Sequence, residues 1–383
     1  MSQLQIPLDP TRTGADATSL HHALHGMVVG QDEAVDQIVD VYQMHLAGMS
    51  DPGRPIANLL LLGPTGSGKT RTVEALAEAL VNNPQAVIKI DCGEFQHSHE
   101  IAKLIGSPPG YLGHRETHAA LNQRELDKYH TDNVQVSFVL FDEIEKASDA
   151  LWNLLLGILD KGVLTLGDNS RVDFSRCMIF MTSNIGAAEM EAIATPKLGF
   201  DARLANVKSD KIDEKLTRKL AKTGEDAARR RFTPEFINRI DKLVVFKPLD
   251  EPELRRVLDI ELTNVQKRIL HSPLEKPFVF NVTDPAKSFL LAQGTDRRYG
   301  ARHLKRAIER LLVRPLSNLI ASDQVSSGDL IQVDFNEDAR SLSFTRKAEG
   351  LGVTGMARIL RKGIDISSMY SEAAAYFRQA SIP

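Results

Sequence analysis

Apolar and polar positions along this chain change period several times, and each change marks an element. Short apolar runs occur at 58–62 (Asn-Leu-Leu-Leu-Leu), 86–90 (Ala-Val-Ile-Lys-Ile), 136–141, 177–182 and 243–246. Their length and lack of alternation predict strands buried on both faces. Helical spacing lies between them: Val73, Leu76, Ala77 and Leu80 fall at i, i+3, i+4 and i+7, and 28–48 reads as a helix opened by Val-Val-Gly-Gln-Asp-Glu. Strands alternating with helices predict an α/β domain, a parallel sheet with helices on both faces, over 28–247. Residues 1–27 read as an N-terminal extension, of which 1–20 are polar and loose. After Lys247-Pro248-Leu249-Asp250 the pattern changes to helices at 251–270, 284–293 and 301–321, with strands near 278–282 and 330–346. That predicts a smaller α+β domain over 248–347, followed by a tail, 348–383, with a weakly amphipathic stretch around Met356–Phe377.

Composition narrows the class without identifying the chemistry. The chain has 383 residues, 25% of them charged, and a net charge of −3, which gives no global case for a nucleic-acid or anionic-membrane partner. No apolar run approaches a membrane span, and Met1–Ile6 lacks the basic start of a signal peptide. Two well-separated cysteines, Cys92 and Cys177, fit a reducing cytoplasm and argue against a disulfide scaffold or a zinc site. His21, His22 and His25 have no cysteine or carboxylate set beside them in sequence and read as solvated helix-face residues.

The chemistry enters at Gly63-Pro64-Thr65-Gly66-Ser67-Gly68-Lys69-Thr70, a complete G-x-x-x-x-G-K-[ST] loop between a predicted strand and a predicted helix. In that setting backbone N–H groups and the helix N-terminus converge on phosphates. Lys69 would reach the β/γ-phosphates of ATP, and the Thr70 hydroxyl would ligate Mg²⁺. The strand at 136–141 delivers Asp142 and Glu143 at its carboxyl end, where open α/β sheets bind ligands. Asp142 is assigned to the metal and Glu143 to the attacking water. Asn184 follows the strand at 177–182; it is placed either to bond the γ-phosphate or lytic water, or simply to start a turn before Gly186.

These motifs, with others in the same order, resemble an AAA+ ATPase of the Clp unfoldase class, and most closely the second ATPase module of ClpB- and ClpC-type proteins. The likeness runs from Val28 to about Phe344. It takes in 28–35, Ser-Asp-Pro-Gly-Arg-Pro-Ile (50–56), Leu-Ile-Gly-Ser-Pro-Pro-Gly-Tyr-Leu-Gly (104–113) and Phe-Asp-Glu-Ile-Glu-Lys-Ala (141–147). It continues through Met-Thr-Ser-Asn-Ile-Gly (181–186), Phe-Thr-Pro-Glu-Phe-Ile-Asn-Arg-Ile-Asp (232–241) and Tyr-Gly-Ala-Arg-His-Leu-Lys-Arg (299–306). The resemblance implies that Arg239 is an arginine finger acting on the neighbouring subunit's nucleotide; read alone, it is a cation beside Asp241, as readily a surface ion pair. It implies that Asn184 is the first sensor and Arg302 the second, where the residue alone is a helix-start arginine. Val28 and Val29 would line the adenine pocket, though by themselves they are core residues. Tyr111 and Leu112 would face the pore of a homo-hexamer and grip an unfolded or aggregated polypeptide, and 167–171 resembles a second pore loop.

The sequence also departs from the family pattern. It holds one phosphate loop and no zinc-binding cysteine set or coiled-coil insertion, which implies a single-ring motor. His114-Arg-Glu-Thr-His-Ala replaces an aromatic–acidic–Gly-Gly stretch after the pore aromatic. Leu198-Gly199-Phe200 lies where protease-docking relatives carry a hydrophobic-Gly-hydrophobic tripeptide, so a ClpP-type peptidase is an alternative partner. A nucleic-acid motor rests on the basic stretch Lys215–Arg231 alone, and the acids Asp213, Glu214, Glu225 and Asp226 lie in or beside that stretch, as in a solvated interface helix. A nucleotide-switched scaffold is the remaining alternative.

Overall fold

The computed structural model describes residues 9–106, 119–194, 210–272, 276–294, 301–352, 355, 356 and 359. Tyr111, Leu112, Leu198-Gly199-Phe200 and nearly all of the 348–383 tail therefore lie outside the described residues. The chain divides into two compact units, Met1–Pro248 and Leu249–Pro383.

The first unit is built on strands β1 (Ala57–Leu62), β2 (Val87–Asp91), β3 (Ser137–Asp142), β4 (Val163–Thr165), β5 (Arg171–Asp173), β6 (Cys177–Ser183) and β7 (Lys242–Val245). Five of these form one parallel sheet in the order β2-β3-β6-β1-β7. Every residue of β1 and β6 is buried, which is why both read as unbroken apolar runs. Side chains alternate between the faces. Leu60 and Leu62 enter one core with Val139, Phe141, Ile179 and Met181, while Leu59 and Leu61 enter the other with Phe138, Leu140, Met178 and Phe180. The register aligns the carboxyl ends, pairing Asp91 with Asp142 and Leu62 with Ser183.

Two expectations change here, and the place of a third is defined. Residues 1–20 are not loose throughout: a helix, Ala15–Met27, buries Ala17, Leu20 and Leu24 in the core that holds Leu59 and Leu61. Those three residues have helical spacing, but polar neighbours mask it in the sequence. The helix expected over 28–48 spans Asp32–Leu46, because Val28 is extended and Gly30 takes φ +71°, a left-handed turn that stops helical winding from running through. Residues 167–171 close an antiparallel hairpin of β4 and β5, in which Asp168 Oδ1 accepts from the backbone N–H of Ser170 at 2.9 Å.

The second unit packs helices on a three-stranded sheet, β10-β9-β8, made of β8 (Val279–Val282), β9 (Leu330–Asn336) and β10 (Ser341–Ala348). Its first helix, Glu251–Leu270, opens with a capping box between Asp250 and Glu253. The continuous helix expected over 301–321 contains a π turn, Glu309–Val313, between Ala301–Ile308 and Arg314–Ala321. Pro315 follows that turn and has no N–H to offer the carbonyl four residues back. Among the described residues no helix is long and apolar enough to cross a membrane.

Candidate nucleotide site

The loop after β1 is shaped by glycines that have no substitute. Gly63 takes φ +148°, and a Cβ there would lie 2.5 Å from the carbonyl oxygen of Phe246, so β7 and the loop approach as only glycine allows. Gly68 takes φ +105° immediately before the helix Lys69–Val81, and space beside it is open for 4 Å. Lys69 is buried; its Nζ donates to the carbonyls of Gly63 (2.7 Å) and Pro64 (3.0 Å) and to Asn184 Oδ1 (2.9 Å). Ser67 is buried with its hydroxyl oxygen unpartnered. Thr65, Gly66 and Thr70 are part-buried, Thr70 in the first helical turn. An open glycine face, a helix start, an ammonium and an unpartnered hydroxyl form a donor set that fits a polyphosphate.

Across the carboxyl ends, β6 holds the acids of β3. The Thr182 hydroxyl donates to Asp142 Oδ1 and accepts from the backbone N–H of Glu143 at 3.0 Å. Glu143 itself takes φ +55°, an uncommon conformation for a residue with a side chain and one typical of functional turns. Its carboxylate pairs with Lys146, which raises the lysine's pKa, and lies 3.5 Å from Asn184 Nδ2. The Asn184 side chain thus stands between Lys69 and Glu143, while its backbone N–H donates to Glu145 Oε1 at 3.1 Å. The oxygens of Asp142 and Thr70 are the hard ligands that suit Mg²⁺.

Val28 and Val29 are buried in the turn that precedes the helix Asp32–Leu46. The neighbouring Gln31 was not singled out from the sequence, although it is the most connected side chain in this turn. Its Nε2 donates to the carbonyls of Ser67 (3.1 Å) and Lys247 (2.9 Å), and its Oε1 accepts from the Lys247 N–H at 3.1 Å. One amide therefore ties this turn to the phosphate loop and to the end of β7. Thr182 and Glu145 were likewise not selected; the available signal was their position inside the 141–147 and 181–186 motifs.

Arg239 sits at the other end of the sheet. Its carbonyl accepts from Asn58 Nδ2 at 3.1 Å, and its guanidinium faces Glu235 (3.2 Å) and Asp160 (3.8 Å). Its expected neighbour Asp241 is occupied elsewhere: Oδ2 accepts from the Asn58 N–H at 2.7 Å, and Arg54 lies 3.7 Å away. Burial holds the Asp241 carboxyl above the usual range, against the Asn58 N–H and Arg54. In the second unit, Arg302 is exposed on the helix Ala301–Ile308. The basic end of the helix Asp210–Arg231 is turned partly toward its own fold, with Arg230 on Glu189 (2.9 Å) and Arg231 on the carbonyl of Glu145 (3.4 Å).

A five-stranded parallel sheet with a phosphate loop after β1 and acids at the end of β3, across β6 from it, defines a phosphate-loop NTPase with an appended α+β unit. Residues 54–243 match the family model of the AAA domain (Cdc48 subfamily), and residues 249–333 match that of the C-terminal, D2-small domain of ClpB protein. The chain is 37% identical over 330 residues to chaperone protein ClpB 1 of Thermosynechococcus vestitus, covering 86% of this chain and 35% of that protein. It is 38% identical over 321 residues to the chaperone protein ClpB of Aquifex aeolicus, covering 83% and 29%. A closed-state cryo-EM reconstruction of Hsp104 with ATPγS and FITC casein superposes with a TM-score of 0.68 at 28% identity, covering 86% of this chain and 52% of that one. The chain belongs to the AAA+ ATPases and has the make-up of a ClpB-type second ATPase module. It spans about a third of the length of the curated relatives it matches.

Proposed function

We propose that this chain hydrolyses ATP with Mg²⁺ and uses the energy to unfold or disaggregate polypeptides, acting as a homo-hexameric ring in the cytoplasm. Residues 28–247 form the ATPase domain and 248–347 the lid. Gly63 to Thr70 hold the triphosphate, with Val28 and Val29 against the base. Lys69 releases the Gly63 and Pro64 carbonyls and turns its ammonium to the β/γ-phosphates. Thr70 and Asp142 would hold Mg²⁺, which supplies charge neutralisation when bound. Glu143 orients the attacking water and accepts its proton, while Asn184 positions that carboxylate relative to Lys69. Arg302 reads the nucleotide state as a second sensor.

The observation that carries the ring is the distance between Arg239 and the chain's own phosphate loop. Arg239 is bonded to Asn58, at the start of β1, whereas Gly63 follows the end of that strand. Five residues of extended chain separate those points by roughly 16 Å. A guanidinium at the far end of the strand is poorly placed to act on its own subunit's γ-phosphate and well placed to act on a neighbour's. The polypeptide substrate rests on Tyr111 and Leu112, where an aromatic between glycines offers sequence-tolerant contact.

The test is ATPase activity and reactivation of an aggregated protein by wild type and Tyr111→Ala. Near-normal basal hydrolysis with lost reactivation is expected, and equal reactivation by both would defeat the threading reading. A ClpP-type peptidase docked at Leu198-Gly199-Phe200 is the second reading, resting on that tripeptide alone. Mixing with such a peptidase and a model substrate decides it, since no complex and no degradation removes it.

A further inference from the structure

The helix pair Ala15–Met27 and Asp32–Leu46 brings together side chains that the sequence keeps apart. His21 and His25 lie one helical turn apart on the first helix, as Asp32 and Asp36 do on the second, so each pair shares a face. The two faces meet. His21 Nε2 is 2.8 Å from Asp36 Oδ1 and 3.0 Å from His25 Nε2, and His25 Nδ1 is 3.0 Å from Asp32 Oδ1. The carboxylate partners missing from the sequence around these histidines come from the neighbouring helix.

A proton count shows what this arrangement lacks. A neutral imidazole carries one N–H. If His25 donates from Nδ1 to Asp32, its Nε2 presents a bare lone pair toward His21. His21 then has a single proton on Nε2 to share between that nitrogen and the Asp36 carboxylate. Three electron-pair donors from three side chains converge on one point, with all ligand atoms within 4.8 Å of one another. A divalent cation at that point would contact all three once the His21 proton moves from Nε2 to Nδ1, the other tautomer of the neutral ring.

We propose that His21 Nε2, His25 Nε2 and an Asp36 carboxylate oxygen form a binding site for a borderline transition-metal ion of the Zn²⁺ class. Two imidazoles and one carboxylate favour such an ion over Mg²⁺ or Ca²⁺, which prefer all-oxygen shells. Tetrahedral bonds of about 2.0–2.1 Å require ligand spacings near 3.3 Å, so the His21–Asp36 and His21–His25 contacts need to open by only a few tenths of an ångström, and His25 and Asp36 already lie within 4.8 Å. Asp32 is the positioning residue: its carboxylate, 3.0 Å from Nδ1, fixes the ring and aims Nε2 at the metal. Water fills the remaining position, since the side chains of His21 and His25 are 38% and 31% exposed. The bound ion clasps the two helices across the turn Val28–Gln31, whose glutamine holds the Ser67 carbonyl. Metal binding thereby stiffens a turn attached to the phosphate loop, and the site stands whether or not the chain unfolds proteins.

The test uses the full chain, stripped with chelator, dialysed and free of nucleotide, which would itself compete for metal. Zn²⁺ is titrated in competition with a chromophoric chelator, with millimolar Mg²⁺ present throughout, and thermal unfolding is followed in parallel. Wild type should take up one equivalent with micromolar or tighter affinity and gain melting temperature. His21→Gln/His25→Gln should lose both effects, and Asp32→Asn should weaken binding by about tenfold or more. Because the double variant touches a packed helix, Asp36→Asn, at an exposed carboxylate, supplies the independent arm and should also weaken binding at least tenfold. Absence of saturable binding by wild type, or binding that survives Asp36→Asn and the double substitution unchanged, overturns the site.

Discussion

The two ends of strand β1 hold polar clusters of opposite character. At its start, Asn58 is fully buried, and its amide donates to the backbone carbonyls of Leu159 and Arg239 at 3.1 Å each, while Asp241 caps the Asn58 N–H. Side chains there bond mainly to backbone, and the cluster sews strand to strand. At its end, Lys69, Asn184, Glu143, Thr182 and Asp142 are linked side chain to side chain, with 3.5 Å separating Asn184 from Glu143, and their remaining bonds go to loop backbone at Gly63, Pro64 and Glu143. Bonds between side chains, or to the carbonyls of a loop, can exchange partners without unfolding a strand, whereas bonds that tie strand to strand cannot. The first end is therefore built to be fixed and the second to be rearranged by a ligand.

The comparison breaks most sharply at Arg239. If that residue serves a neighbouring subunit, Arg239→Ala lowers kcat by about 10³-fold or more while nucleotide affinity stays near wild type. Lys69→Ala abolishes nucleotide binding in its own subunit. Mixing the two inactive variants should restore measurable hydrolysis, because some interfaces combine an intact Lys69 with an intact Arg239 from the next chain. If mixing restores none despite co-assembly, the finger does not act between subunits.

Glu143→Gln tests the rearrangeable end. It keeps the side chain's size and its contact with Asn184 but removes proton acceptance and the Lys146 ion pair. Hydrolysis should fall by about 10²-fold or more, with binding of a fluorescent nucleotide retained. A loss of affinity as large as the loss of rate would mean that Glu143 shapes the pocket instead of the chemistry.

The sheet and the loop were legible because their signals are local. Leu59 to Leu62 followed by Gly63 to Thr70 carries strand, turn and helix start in one stretch, and the order of motifs gave the family. What stayed hidden was pairing across sequence. Gln31 meets Lys247 across 216 positions, and Asn58 meets Arg239 across 181. Asp36 meets His21 only because two helices pack through Leu20, Leu24, Val35 and their neighbours. A polar residue in an apolar surround, such as Asn58 inside an unbroken strand, was the one available sign that such a partner existed.

Asn58 gives the test of the fixed end. Asn58→Ala leaves one buried and one part-buried carbonyl without the Asn58 donor, and each such loss costs about 1–3 kcal/mol. Urea denaturation of the nucleotide-free chain should show a loss of about 2–4 kcal/mol, with phosphate-loop affinity little changed. A stability equal to wild type would mean water takes over both carbonyls.

The smallest effect comes from two thiols that sample the two ends. Cys92 follows β2 near the acids, and burial pushes its pKa up, reinforced by Asp142, Asp91, Glu145 and Glu143. Cys177 opens β6 at the fixed end, where burial pushes it up to about 12 while a hydrogen bond with Ser137 pulls the other way. Both groups are neutral when folded but ionise near pH 8.5 in the unfolded chain. The unfolded state therefore binds fewer protons above that pH, so stability is full below it and falls as pH rises toward the folded values. Each thiol contributes a slope of about 1.4 kcal/mol per pH unit once the unfolded form is ionised. Urea melts between pH 8 and 10.5 should show this decline, and Cys177→Ala should remove one thiol's share at the fixed end. Added Mg²⁺ and nucleotide neutralise the acids around Cys92 and leave Cys177 untouched, so the share that survives in Cys92→Ala should be insensitive to ligand apart from the uniform stabilisation that binding brings. A ligand-dependent slope at Cys177 would show that the two ends of β1 are coupled after all.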